Sequence, residues 1–196
     1  MEICAGGGGQ AVGLEAAGLR SVAAIDIDSA ACATLRLNRP EWNIIEADLR
    51  EIDGKDFRGI DVLVDGVPCP PFSIAGKQLG EEDERDLFPD ALRLVREAQP
   101  RAVLFENVRG LATPKFGEYR RNLQSELLAL GYEPEWRLLS AADYGVPQRR
   151  LRFVLVALLS KYKMKFQWPE PFQDRLTVGE ALFDLIRSNG WSGASA

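Results

Sequence analysis

The chain has 196 residues, 46% of them hydrophobic and 27% charged, with a formal net charge of −5 and no histidine. This suits one globular domain with a single sizeable core, and it excludes disordered and fibrous classes. Without histidine, neither a Ser-His-Asp nor a Cys-His hydrolase can be built, so any acid or base must be Asp, Glu, Lys, Tyr, Cys or water.

In chain order, residues 2–4 read as a clipped strand and residues 10–19 as a helix with Gly18 at its stop. Residues 22–25 form a strand ending in Asp26, and Asp28 can cap a helix running through Asn38. Strands are expected at 43–46 and 60–64, and a helix at 84–98 with apolar Leu87, Leu92, Leu94 and Val95. An apolar strand follows at 102–105, then a helix at 116–130 closed by Gly131. Residues 135–139 and 151–158 then form two strands with no helical run between them. Strands alternating with helices predict a mostly parallel, doubly wound α/β sheet, and the last pair predicts an antiparallel pairing at one edge. Residues 158–196 offer one more strand, a short helix near 178–186 and a small, polar, linker-like tail. The chain reads as cut at its second end at least.

No apolar run approaches the roughly 18 residues of a membrane span, and no signal peptide is visible. Cys4, Cys32 and Cys69 are odd in number and far apart. They form neither a disulfide framework nor a metal site, and the chain reads as a reduced, intracellular protein.

Four blocks carry chemistry. The first runs from Cys4 through Gly6, Gly7, Gly8 and Gly9 to Ala11, between a strand and a helix. Its glycines allow a tight turn and close approach to a ligand, and Asp26 at the end of the next strand can accept from ribose hydroxyls. The pair points to an adenosine-containing cofactor, either a nicotinamide dinucleotide or S-adenosylmethionine. The second block is Asp65-Gly66-Val67-Pro68-Cys69-Pro70-Pro71-Phe72-Ser73, after the apolar run 62–64. A cysteine between prolines at the carboxyl end of a strand sits where α/β folds place their chemistry, and it reads as a nucleophile or a structural thiol. Residues 74–83, with Gly76 and Gly80, resemble a lid.

The third block is Glu106-Asn107-Val108, whose carboxylate would face the same crevice as Cys69. The fourth is Pro147-Gln148-Arg149-Arg150-Leu151-Arg152-Phe153, where alternation in a strand would point Arg150 and Arg152 to one face. Two guanidiniums on one face call for an anion such as phosphate. Lys161, Lys163, Lys165 and Arg175 extend this into a basic stripe that can meet a nucleic-acid backbone despite the acidic total.

These blocks, in this order and at these spacings, resemble the DNA (cytosine-5) methyltransferase family over residues 3–153 and more faintly over 177–185. Asp83–Phe88 (DERDLF) and Ala142–Pro147 (ADYGVP) add to the likeness. The resemblance implies a Rossmann-like, S-adenosylmethionine-dependent methyltransferase fold, with residues 1–160 as the catalytic domain. Residues 161–196 would lead toward a target-recognition domain that this chain does not contain. It implies Cys69 as the thiolate that adds to carbon 6 of cytosine, and Glu106 as the group on the exocyclic amine and ring N3. Arg152 would bind the cytosine carbonyl, with Arg150 supporting the thiol and the backbone phosphate. Gly6, Gly8 and Gly9 would line the methionine part of the cofactor and Asp26 would hold its ribose. Ile27 would pack on adenine and Asp48 would accept from its amino group, with Gly66, Pro68 and Leu87 completing the wall. Ser73, Asn107 and Gln148 would touch substrate. The implied partner is DNA with a flipped cytosine, within a bacterial or phage modification system, with a C-terminal partner chain or missing segment carrying the recognition domain. The alternatives are transfer RNA as the substrate within the family, or a subunit or fragment inactive without its C-terminal partner. The chain departs from the family at Cys4, where an aromatic residue is usual, and at Pro70, where Gln or Asn is usual.

Overall fold

A computed structural model describes residues 1–68 and 86–190. Seven strands form one sheet: β1 (Glu2–Ile3), β2 (Ala24–Asp26), β3 (Ile44–Glu46), β4 (Val62–Asp65), β5 (Ala102–Val108), β6 (Tyr132–Ser140) and β7 (Leu151–Leu159). Their spatial order is β3-β2-β1-β4-β5-β7-β6. The first five run parallel, and β7 is antiparallel to both of its neighbours. The expected doubly wound sheet with an antiparallel edge is therefore present. β7 doubles back and inserts between β5 and β6.

Among the described residues there are five α-helices: α1 (Gly9–Ala16), α2 (Ser29–Asn38), α3 (Phe88–Ala98), α4 (Gly117–Ala129) and the exposed α5 (Val178–Ser188). Their starts follow local chemistry. The Asp28 carboxylate accepts from Ala30 and Ala31 N–H groups at 2.7 and 3.2 Å and opens α2. Thr177 and Glu180 form a reciprocal capping box on α5. In α3 the buried positions Phe88, Ala91, Leu94, Val95 and Ala98 recur at helical spacing and face the core. That core joins Ile3, Ile25, Leu63, Val103 and Phe105 of the sheet to α3, with Leu123 and Leu127 of α4. Phe88 meets Phe105 edge to face at 5.6 Å.

Three elements differ from the sequence reading. β1 stops at Ile3 because Cys4 takes φ 52°, a left-handed turn into the glycine loop. β5 does not end at Phe105; β7 pairs with it through Val108, which draws Glu106 and Asn107 into the strand. No further strand follows β7 among the described residues. Residues 160–165 instead form a 3₁₀ turn. Lys163 pairs with Glu135, and the Trp168 indole donates to Glu135 at 3.0 Å, folding this segment back over β6. The helix near 178–186 is present as α5, with no buried residue. Among the described residues, no helix is long and apolar enough to cross a membrane.

Candidate active site

The carboxyl ends of β1, β2, β4 and β5 converge with the start of β7, where open α/β sheets bind ligands. The glycine loop forms one wall. Gly6 and Gly8 have φ 53° and 82°. A Cβ on Gly8 would also lie 2.5 Å from Leu35 Cδ2, so a side chain there would be strained and would push that leucine aside. Asp26, at the end of β2, latches this loop: Oδ2 accepts the Gly6 N–H at 2.7 Å and Oδ1 the Asp28 N–H at 2.8 Å. Each oxygen keeps a second lone pair, so a pair of ligand hydroxyls can still be accepted. The latch itself was not foreseen.

Ile27 is 68% exposed, an uncovered apolar surface beside the latch, suited to a flat ring. Asp48 accepts the Arg50 N–H at 2.9 Å and meets the Arg50 guanidinium at 3.5 Å. Gly66 marks the closest approach of the β4 and β1 loops: a Cβ there would sit 3.4 Å from the Cys4 carbonyl oxygen. Pro68 and Leu87 are half-buried on either side of the undescribed stretch. Cys69 and Ser73, like residues 74–83 with the expected lid, lie outside the described residues.

Two fully buried polar side chains hold the backbone that leads toward Cys69. Asp65 accepts the Val67 N–H at 2.6 Å, and Asn107 donates to the Val67 carbonyl at 3.4 Å. Asn107 therefore acts on the chain's own backbone, not on an open surface. In the sequence Asp65 reads only as an acid closing an apolar strand, and only its burial shows that it is not solvated.

Glu106 and Arg152 stand together. Arg152 lies opposite Val108 across β5 and β7, which puts it on the same sheet face as Glu106. Its Nε approaches Glu106 Oε1 to 2.6 Å, a charge contact without hydrogen-bond alignment, while a terminal nitrogen donates to the Leu151 carbonyl at 2.9 Å. Both side chains remain about a quarter exposed, so a ligand can reach them. Arg150 is exposed just ahead of β7, and its carbonyl accepts the Ala141 N–H at 2.9 Å, continuing the β6–β7 pairing by one residue. Arg152 meets a carboxylate of its own chain in place of the expected anion. Gln148 lines a separate cavity of about 300 Å³ with Arg149, Arg175 and Thr177.

The crevice is acidic. Burial pushes the Cys4 thiol up to about 12, with Asp65, Asp26, Asp48 and Asp90 acting in the same direction. Cys4 is thus a neutral wall, not a nucleophile. Burial likewise holds Asp65 well above the usual carboxylate range. No cluster of metal-ligating residues exists among the described residues. Another cavity, of about 290 Å³, lies at the opposite, amino ends of β1 and β4, bounded by Glu2, Leu14, Val22 and Ile60, and it holds none of the expected site residues.

Residues 1–194 match the family described as C-5 cytosine-specific DNA methylase. The chain is 57% identical over 195 residues to the type II methyltransferase M.NgoMIV of Neisseria gonorrhoeae, covering 99% of this chain and 62% of that protein. It is 51% identical to M.NaeI of Lentzea aerocolonigenes, covering 99% of this chain and 48% of the relative. A crystal structure of a DNA modification methyltransferase encoded within an Escherichia coli prophage superposes with a TM-score of 0.75 at 25% identity, over 92% of this chain and 53% of that one. The chain thus spans about half to three-fifths of the length of these relatives.

Proposed function

The chain belongs to the C-5 cytosine-specific DNA methylase family, and on that footing we propose that it carries the chemical centre for transfer of a methyl group from S-adenosylmethionine to carbon 5 of cytosine in DNA. The observation that supports this most is the Glu106–Arg152 pair at 2.6 Å, Glu106 on β5 beside the backbone that leads into Pro68-Cys69 and Arg152 on β7, the next strand over. Carbon 5 of cytosine is a poor nucleophile, so the ring must first be activated. The Cys69 thiolate adds at carbon 6, and electron density moves onto ring N3 and the carbonyl oxygen. Glu106 receives the exocyclic amine and N3. Arg152, aimed beside it, stabilises the carbonyl oxygen where charge develops. Until a base arrives, each of these two side chains holds the other in place. The enamine formed is nucleophilic at carbon 5. Once that carbon is alkylated, its proton leaves to water and Cys69 is expelled. S-adenosylmethionine, when bound, supplies the electrophilic methyl group.

The residues present fit that cofactor. Asp26 and Asp48 offer acceptors for ribose and adenine amino groups, and Ile27 offers an apolar platform. The bare loop of Gly6, Gly8 and Gly9 admits the methionine part, with Gly66, Pro68 and Leu87 across from it. Arg150 and Gln148, exposed at the entry to β7, are placed to meet the nucleic-acid backbone. Base-edge reading needs an element that enters a groove. We assign that task to the part of the relatives' length that this chain does not span, in cis or on a partner chain.

The test is transfer of labelled methyl groups from S-adenosylmethionine to duplex DNA and, in parallel, to transfer RNA, with Cys69→Ser as control. Label on carbon 5 of cytosine in DNA, lost in the variant, is the expected result. Label on transfer RNA alone would move the assignment to RNA.

A further inference from the structure

Asp65 ends β4 with a carboxyl oxygen that no described residue satisfies. Oδ1 accepts the Val67 N–H, whereas Oδ2 is buried and has no hydrogen-bond partner among the described residues. The residue is 0% exposed. Buried polar atoms left unpaired are destabilising, and their retention calls for an explanation. Its surroundings add negative charge. Glu106 on β5 and Asp86 ahead of α3 act on it directly. From the β1 side, the Cys4 thiol feels Asp65 together with Asp26, Asp48 and Asp90. The cations around this crevice have other partners: Arg152 meets Glu106, Arg50 meets Asp48 and Asp90, and Arg93 meets Asp90 and Glu97. The Tyr119 hydroxyl donates to Asp86. Asp65 pairs in register with Ile3, directly before the glycine loop, and a Cβ on the next residue, Gly66, would sit 3.4 Å from the Cys4 carbonyl oxygen of that loop, so Asp65 borders the loop proposed to admit the methionine part of the cofactor.

S-adenosylmethionine differs from its product, S-adenosylhomocysteine, by one positive charge, carried on sulfur. We infer that the free Oδ2 of Asp65 is the counter-charge for that sulfonium cation and sets the chain's preference for the cofactor over its neutral product. The inference rests on the cofactor reading above. Burial raises the Asp65 carboxyl well above the usual carboxylate range, and Glu106 and Asp86 add to that effect. An arriving cation favours the carboxylate, so binding brings it down again and draws the carboxyl proton off to solvent. Asp65 would then act in binding twice, through its charge toward the cofactor and through Oδ1 on Val67.

Titration calorimetry of the chain with each ligand, in buffers of different ionisation enthalpy, gives both affinities and the protons released. Across a series of pH values above the usual carboxylate range, S-adenosylmethionine should bind with proton release and S-adenosylhomocysteine with none. Asp65→Asn keeps an oxygen for Val67 but loses the charge. It should weaken S-adenosylmethionine binding by about tenfold or more, leave S-adenosylhomocysteine within about twofold, and abolish the release. An unchanged ratio of the two affinities in Asp65→Asn overturns the counter-charge role. Equal proton release for both ligands in the wild-type chain overturns it too, and that measurement does not depend on the variant folding. If the wild-type chain binds neither ligand, the cofactor reading itself falls, and this inference falls with it.

Discussion

Arg152 has a role in the resting fold and, under the proposed function, a second one in the reaction. At rest its guanidinium offsets Glu106, and with a base bound it would face the carbonyl oxygen on which charge develops. Arg152→Ala should therefore lower the rate of methyl transfer by roughly 10²–10³-fold, the range for losing one donor to a developing oxyanion. S-adenosylmethionine affinity, measured by calorimetry, should stay unchanged. Glu2 shows the same low-dielectric physics without a catalytic role. Burial pushes its carboxyl from the ordinary 4.5 up to about 7, against the pull of the N-terminal ammonium. Because the folded form holds its proton more tightly than the unfolded form, this group's contribution is fully present below pH 4.5 and is lost as pH rises through about 7. The loss is on the order of 3 kcal/mol. Glu2→Gln should flatten the fall in stability across that window, read by denaturant unfolding at several pH values. Asp65 titrates in the same sense, so the comparison with wild type isolates Glu2. Asp26, Glu106 and Arg152 were legible in the sequence by type and place. Their partners were not: spacing cannot show that Asp26 latches Gly6, or that the apolar-strand acid Asp65 is sealed from water.

Among the elements, β7 matters most. It is bonded along its whole length, seven positions to β5 and nine to β6. It also carries Phe153, which is 0% exposed and packs on Trp136 at 5.2 Å. Phe153→Ala should cost about 3–5 kcal/mol, the range for deleting a buried aromatic side chain, and should appear as a lower denaturant midpoint. The kinds and order of the elements could be read from hydrophobic periodicity. The place of β7 could not, because chain order does not give strand order, and a strand that doubles back inserts as readily as it pairs outside. The length of β5 was hidden for a different reason. Glu106 and Asn107 are polar, and polar residues after an apolar run read as a loop; here they stay in the strand because β7 satisfies their backbone and Val67 takes the Asn107 side chain. The 3₁₀ turn at 160–165 was missed because its cause, Glu135 on β6, is distant in sequence.

At the scale of the molecule, the proposed function separates chemistry from reading. The sheet brings an acidic crevice, proposed for the cofactor, to β1, β2 and β4 and a Glu–Arg pair to β5 and β7, while Arg149 and Arg150 are exposed just ahead of β7. Phosphate contacts of that kind position a duplex without specifying a sequence. The chain alone should therefore bind duplex DNA weakly and indifferently to sequence, and affinity measured between low and moderate salt should fall steeply. The covalent step at Cys69 is the centre of this account. Its most direct test is mass spectrometry of the chain, in excess and at low salt, mixed with S-adenosylmethionine and a duplex containing 5-fluorocytosine. Fluorine at carbon 5 cannot leave as a proton does, so a single round of transfer suffices and no turnover is needed. The account predicts one adduct on Cys69 carrying the oligonucleotide and one added methyl group, absent from Cys69→Ser. A chain that binds S-adenosylmethionine yet forms no adduct, or forms one that survives in Cys69→Ser, would contradict it.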